Sequence, residues 1–261
     1  MIETHNLTIG YESKIIQSNL NIVAGENRLI CLVGTNGTGK TTLLKTIAGL
    51  IPALEGKVEI DNTDLTTLDN YHRAKMIAIT QTNTHTVSDV MVREVVELGR
   101  YPHTNLLGQL TADDNRSVDN AMLLTHIEPF TSRTYNSLSD GEKQRTLIAQ
   151  TIAQDTKNIL FDEPTAHLDI PNKINIMLLL QQLAHRQNKT IICTTHDLNL
   201  ALQTADELWV MTREGLKQGT PTQLLEKQIL QQAFSQDNYT LVQHNNVIEI
   251  RFNQNATNHT C

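Results

Sequence analysis

The chain has 261 residues, with 21 Lys and Arg against 28 Asp and Glu, a net charge of −7 and 39% hydrophobic residues. This is the composition of a folded soluble protein with a sizeable core rather than of a disordered segment. No apolar run comes near the ~18 residues that span a bilayer, the start Met1-Ile2-Glu3-Thr4-His5 carries no basic and apolar leader, and the acidic balance argues against nucleic acid as a main partner.

The first thirty residues alternate like half-buried strands, with Leu7, Ile9 and Tyr11 set against Thr8 and Gly10, and Leu20 and Ile22 around Asn21. Val58 and Ile60, between Lys57, Glu59 and Asp61, repeat the pattern, and these segments predict an antiparallel sheet with one wet face. Residues 29–33, 159–161 and 191–193 are instead continuous apolar runs, as expected of parallel strands covered by helices on both sides. Helical patterns follow them. Residues 40–48 carry Leu43 and Ile47 and stop at Gly49, and residues 172–187 carry Ile176, Leu179, Leu180 and Leu183. Between these, residues 88–154 read as mostly helical, through Val92, Val95 and Val96, then Leu147, Ile148 and Ile152. Cys31 and Cys193 fall inside strand runs and, with Cys261, lack CxxC spacing, so buried free thiols in a reducing cytoplasm are expected. Residues 236–252 suggest a short hairpin around His244-Asn245-Asn246, and residues 253–261 a loose polar tail.

Gly34-Thr35-Asn36-Gly37-Thr38-Gly39-Lys40-Thr41 fits the pattern G-x-x-x-x-G-K-[ST] between a predicted strand and a predicted helix. Its glycines let the backbone wrap so that successive N–H groups face phosphate oxygens, and the helix N-terminus adds its positive dipole end. In that setting Lys40 neutralises the β- and γ-phosphates and the Thr41 hydroxyl ligates Mg²⁺. Asp162 and Glu163 end another apolar strand, where adjacent acids call for a compensating cation or proton. Asp162 is the Mg²⁺-side acid, and Glu163 can take the proton of an attacking water.

Leu138-Ser139-Asp140-Gly141-Glu142 opens a further helix as a capping box, and its serine-led start makes a second anion site. Gln81 follows the run Met76-Ile77-Ala78-Ile79, where a side-chain amide can reach metal-bound water. His196 ends the strand of residues 191–195, at the edge where ligands bind in parallel sheets.

Together these motifs resemble those of the ATP-binding cassette (ABC) ATPases, over about residues 2–235. Residues 34–42, ending in Thr42, look like the Walker A loop and residues 159–163 like Walker B. Residues 138–142 are similar to the family signature, Gln81 to the Q-loop glutamine and Ala166-His167-Leu168-Asp169 to the D-loop. His196 looks like the switch histidine and Tyr11 like the aromatic residue that stacks on adenine.

The resemblance implies an α/β fold, a P-loop NTPase (RecA-like) core with an antiparallel β-subdomain and a helical subdomain. It implies ATP and Mg²⁺ as ligands, a metal held near Thr41, Gln81 and Asp162, and catalysis by Glu163, His196, Gln81 and Lys40. It further implies a head-to-tail homodimer in which each ATP lies between one copy's Walker A and the other's signature. Ser139 and Gly141 would then touch the γ-phosphate, with Asp169 beside the shared site. The chain departs from the family in carrying Asp140 and Glu142 where glycine and glutamine are usual, which puts extra carboxylates near a triphosphate and alters how tightly a closed dimer holds.

Leu98-Gly99-Arg100-Tyr101-Pro102-His103 and Thr165-Ala166-His167-Leu168-Asp169-Ile170 resemble the ATPase subunits of bacterial importers for iron–siderophore complexes, haem and cobalamin. That implies a peripheral subunit on the cytoplasmic face of the cell membrane, a polytopic permease as partner, a periplasmic or surface binding protein acting indirectly, and no nucleic acid. The alternative within the family is a soluble non-transport ATPase, such as that of iron–sulfur cluster assembly.

Overall fold

Three strands, β1 (Ile2–Tyr11), β2 (Lys14–Leu20) and β3 (Val23–Ala24), open the chain. The computed structural model describes residues 1–12, 14–80, 89–105, 108–166, 168–235, 239–244 and 247–252. β4 (Leu29–Gly34) runs into helix α1 (Lys40–Ile47), followed by β5 (Glu55–Ile60), β6 (Thr63–Asp64), α2 (Asn70–Met76) and β7 (Ile77–Thr80). A helical stretch then holds α3 (Val92–Glu97), the 3₁₀ turn Leu98–His103, α4 (Ala112–Leu124) and α5 (Asp140–Ala153). Strands and helices alternate through β8 (Asn158–Phe161), α6 (Ile170–Arg186), β9 (Thr190–Thr194), α7 (Leu198–Thr204), β10 (Glu207–Thr212) and β11 (Gly215–Gly219). Helices α8 (Pro221–Glu226) and α9 (Ile229–Phe234) precede a hairpin of β12 (Tyr239–His244) and β13 (Val247–Phe252).

The central sheet has the order β11-β10-β4-β9-β8-β7 and is parallel except at β11. Every residue of β4, β8 and β9 is buried, as continuous apolar runs require of strands covered on both faces. The side chains of β4 alternate between two apolar layers. Leu29, Cys31 and Val33 join Ile148 of α5 and Met177 of α6, whereas Ile30 and Leu32 join Leu43, Leu44 and Ile47 of α1 with Leu7 and Ile9. Helices α1 and α5 therefore pack on opposite faces of the sheet. Trp209, the chain's single tryptophan, is fully buried on β10 opposite Leu32, and its Nε1 donates to Glu207 Oε1 at 2.9 Å.

The second sheet, β2-β1-β5-β6 with β3 on β1, is antiparallel, but β1 does not keep the expected alternation. Thr8 and Gly10 are buried together with Leu7 and Ile9, while Tyr11 is exposed. Asn6 takes a left-handed φ of 48°, and the pairing with β2 shifts register between Leu7 and Ile9, so the period of two breaks there. Helix α6 also starts earlier than its apolar pattern, with Asp169 as cap and Pro171 in the first turn.

Arg100 pins the helical stretch together. It is buried, lies 2.8 Å from Asp114 of α4, and donates from Nη1 to the Ala153 carbonyl at the end of α5 at 2.7 Å. Beside it Gly99 approaches α5 so closely that a Cβ would sit 2.0 Å from the Gln150 carbonyl oxygen. Burial opposes ionisation of Asp114, but hydrogen bonds from Thr111 and the Arg100 guanidinium outweigh it and hold the carboxyl at about 2.

Cys31 and Cys193 are register partners on β4 and β9, fully buried, with their sulfurs 3.5 Å apart. The hydrogen bond between them, and then burial, push the Cys31 thiol well up, which suits an inert core residue. Among the described residues no helix is long and apolar enough to cross a membrane.

Candidate functional site

Strands β4, β9 and β8 are neighbours and parallel, so the segments that leave their carboxyl ends meet at one edge of the sheet. After β4 the chain turns through residues whose glycines are sterically required. A Cβ on Gly34 would meet the Met211 carbonyl oxygen at 2.3 Å, and one on Gly39, at a φ of 106°, would meet Ile16 Cγ2 at 2.5 Å. Gly37 also sits at positive φ, 79°. Thr38 Oγ1 donates to the Thr35 carbonyl at 2.9 Å and closes the loop. Thr35, Asn36 and Gly37 form its exposed rim, while Thr38, Lys40 and Thr42 are buried.

No side chain caps the start of α1, so its first N–H groups are left for a ligand. Lys40 Nζ donates to the carbonyls of Gly34 at 2.8 Å and Thr35 at 3.2 Å. Burial lowers the Lys40 pKa, against the pull of the Glu163 and Asp162 charges.

Asp162 and Glu163 follow β8. Asp162 Oδ1 accepts from Thr41 Oγ1 at 3.1 Å and from Thr194 Oγ1 at 2.8 Å. The Thr194 hydroxyl in turn accepts the Glu163 N–H at 2.7 Å. Thr194 thus fixes both acids, a role the sequence did not single out; its one signal is a hydroxyl closing an apolar strand. Glu163 sits at a φ of 51°, and its Oε1 lies 2.7 Å from His196 Nε2.

Among the described residues no three His, Cys, Asp or Glu side chains gather to hold a metal. Thr41 and Asp162 instead offer two hard oxygens, a donor set that suits Mg²⁺ sharing its shell with phosphate and water.

A cavity of about 260 Å³ opens here, lined among others by Gly34, Thr35, Asn36, Thr195, His196 and Phe234. Phe234, from the end of α9, forms a wall that no sequence pattern marks. A larger cavity of about 550 Å³, between β2, the β10–β11 turn and α9, lies away from the converging motifs.

The remaining candidates are placed as follows. Ser139 caps α5, with its N–H and Oγ both donating to Glu142 Oε2, at 2.7 and 2.8 Å. The bonds from Ser139 lower the Glu142 pKa, and Arg133 Nη1 lies 3.9 Å from its other oxygen. Gly141 follows in the first turn, where a Cβ would touch Leu168 Cδ2 at 3.4 Å. Asp169 caps α6 by accepting the Asn172 N–H at 3.0 Å. Tyr11, at the end of β1, is 48% exposed. Gln81 and His167 lie outside the described residues.

A family model described as ABC transporter matches residues 17–166. The chain belongs to the ABC transporter family. Its fold is the P-loop NTPase fold of the ABC cassettes, and as an ABC ATPase it binds ATP and hydrolyses it. The achromobactin transport ATP-binding protein CbrD of Dickeya dadantii is 37% identical over 237 residues, 90% of this chain and 88% of that protein. The ferric enterobactin transport ATP-binding protein FepC of Escherichia coli is 33% identical over 230 residues, 87% of this chain and 84% of that protein. Among solved structures, the ATP-binding cassette MJ0796, dimeric in a post-hydrolysis state with ADP and Pi, matches with a TM-score of 0.75 at 26% identity, covering 85% of this chain and 99% of that one.

Proposed function

We propose that this chain is the ATP-hydrolysing subunit of an importer for a metal chelate, an iron–siderophore, haem or cobalamin. It sits on the cytoplasmic face of the cell membrane beneath a separate permease, which a binding protein loads from outside. The observation that carries the catalytic part is the hydrogen-bonded line from Thr41 through Asp162 and Thr194 to Glu163 and His196. The cargo class is supported by relatives named for achromobactin and ferric enterobactin transport.

In this reading the N–H groups of residues 34–42 and the Lys40 ammonium hold the β- and γ-phosphates, and the exposed Tyr11 ring stacks on adenine. Thr41 and Asp162 would hold Mg²⁺, with Gln81 as the further residue assigned to it by the family motif; the ion would neutralise phosphate charge. Glu163 takes the proton from the attacking water, and His196 keeps the Glu163 carboxylate aimed. Nearly all of the catalysis is positioning and charge stabilisation, as phosphoryl transfer demands.

The working unit is a homodimer. A second copy brings Ser139 and Gly141 to the γ-phosphate and Asp169 to the seam between the copies. What supports this is that one chain carries one anion-binding start of each kind, the uncapped start of α1 and the serine-capped start of α5, so that two copies complete two sites across a two-fold interface.

The test is reconstitution with a candidate permease in vesicles, ATP being supplied on the face that carries this chain. Uptake of a ferric siderophore, haem or cobalamin that stops in the Glu163→Gln variant is expected. ATP turnover without uptake, and membrane recovery indifferent to the permease, would overturn the importer reading.

A further inference from the structure

Behind the phosphate loop, the side chain of Gln17 on β2 reaches two backbone carbonyls at once. Its Nε2 lies 2.6 Å from the Thr212 oxygen and 3.2 Å from the Thr38 oxygen, and the residue is only 5% exposed. Both partners can only accept, so the amide must turn its NH₂ toward them. We propose that Gln17 is a positioning residue for ATP binding, aiming the Gly39 N–H into the phosphate cradle by holding the Thr38 carbonyl from behind. The proposal rests on the nucleotide reading of this loop.

The Thr38 carbonyl and the Gly39 N–H belong to one peptide unit, and a trans, planar unit sends them in opposite directions. No peptide bond among the described residues is cis. Drawing the carbonyl onto β2 therefore turns the N–H to the other side, where the first turn of α1 and Lys40 gather.

Such a hold is needed because Gly39, at a φ of 106°, occupies a region that only glycine visits freely, and no side chain caps α1. Ile16, the residue before Gln17, presses on the same spot, since a Cβ on Gly39 would lie 2.5 Å from its Cγ2. The other end of the clamp is firm. Thr212 ends β10, and Met211 before it pairs with Gly34, where the loop begins. Gln17 thus ties the exit of the loop to the strand that flanks its entrance.

The same residue pairs with Ile9 of β1, two positions before Tyr11. Through it the sheet that carries Tyr11 is joined directly to the phosphate loop, which fixes the span between the adenine and phosphate positions.

The test measures the affinity of a non-hydrolysable ATP analogue with Mg²⁺, alongside thermal unfolding, for the wild type, Gln17→Leu and Gln17→Glu. Gln17→Leu keeps the bulk and removes the donor, and affinity should fall roughly five- to tenfold, the worth of one or two net hydrogen bonds. Gln17→Glu sets a carboxylate against two carbonyls. Its affinity relative to wild type should recover as pH falls and the acid regains an O–H donor, a response that a merely structural role would not produce. If Gln17→Leu unfolds, the pH response of Gln17→Glu decides alone. Variants that unfold sooner yet bind the analogue as tightly as wild type, at every pH, would overturn the role of Gln17. A wild type with no affinity for the analogue would overturn the nucleotide reading instead.

Discussion

His196 and Glu163 meet across the gap between two parallel strands, Nε2 to Oε1 at 2.7 Å. Glu163 is held at left-handed φ after β8, and its N–H is tied to Thr194 of β9, so the pair is set by strand adjacency rather than by one loop. Glu163→Gln keeps the shape of the side chain and removes its basicity. ATP binding should persist while turnover falls by about 10² to 10⁴, the range of a positioned general base. Steady-state hydrolysis beside equilibrium binding checks this, and a loss below tenfold would remove Glu163 from the role of base.

Thr194 offers a sharper probe, because one hydroxyl serves both acids. Thr194→Val leaves the Glu163 N–H without its acceptor and Asp162 with one donor fewer. Stability should drop by about 1–3 kcal/mol, the cost of stranding a buried polar group, and turnover should drop with it. Thr194→Ser should restore both; a serine variant as slow as the valine one would show that the methyl, not the hydroxyl, matters.

Ser139 spends both of its donors on Glu142, the donors a phosphate from a second copy would want. In a Glu163→Gln background, Glu142→Gln should tighten the ATP-dependent dimer by about fivefold, as one unit charge removed from beside a phosphate is worth about 1 kcal/mol. Ser139→Arg should prevent that dimer while leaving ATP binding by the single chain intact. Sedimentation across a concentration series reads both, and a dimer indifferent to Ser139→Arg would refute the shared site.

Arg100→Met would leave Asp114 charged and buried, and stability should fall by about 3–5 kcal/mol. In the wild type the Asp114 carboxyl is depressed from an ordinary 3.8 to about 2, so its contribution is full above the ordinary value and fades as pH falls toward 2. Urea midpoints at neutral and acid pH should therefore converge for the two proteins. A gap that stays constant with pH would mean the pair is not the cause.

The motifs that bind and cut a phosphate chain were readable because each is local: three glycines and a lysine within one turn, two acids at one strand end, a serine and a glutamate within one helical start. Thr194, Gln17 and Phe234 were not. Each acts through a neighbour more than twenty residues away in sequence, and only the pairing of β8 with β9, the reach of the Gln17 side chain from β2 to the end of β10, or the approach of α9 to the phosphate loop gives it a task. The alternation read through Tyr11 failed for a different reason. A left-handed residue such as Asn6 resets the face of every later side chain, and no periodicity shows that in advance. The segment Leu98–His103 was legible only as a family mark, whereas its physical work, Arg100 joining α4 to α5, requires the helices to be in place.

Trp209 gives this protein an optical window that needs no dye. A lone indole, sealed in the apolar layer and facing Leu32 two positions before the strand ends, is the source of essentially all red-edge ultraviolet emission. A shift of that emission toward longer wavelength marks the moment water enters the parallel sheet, while melting confined to the helical stretch or the terminal hairpin passes unseen.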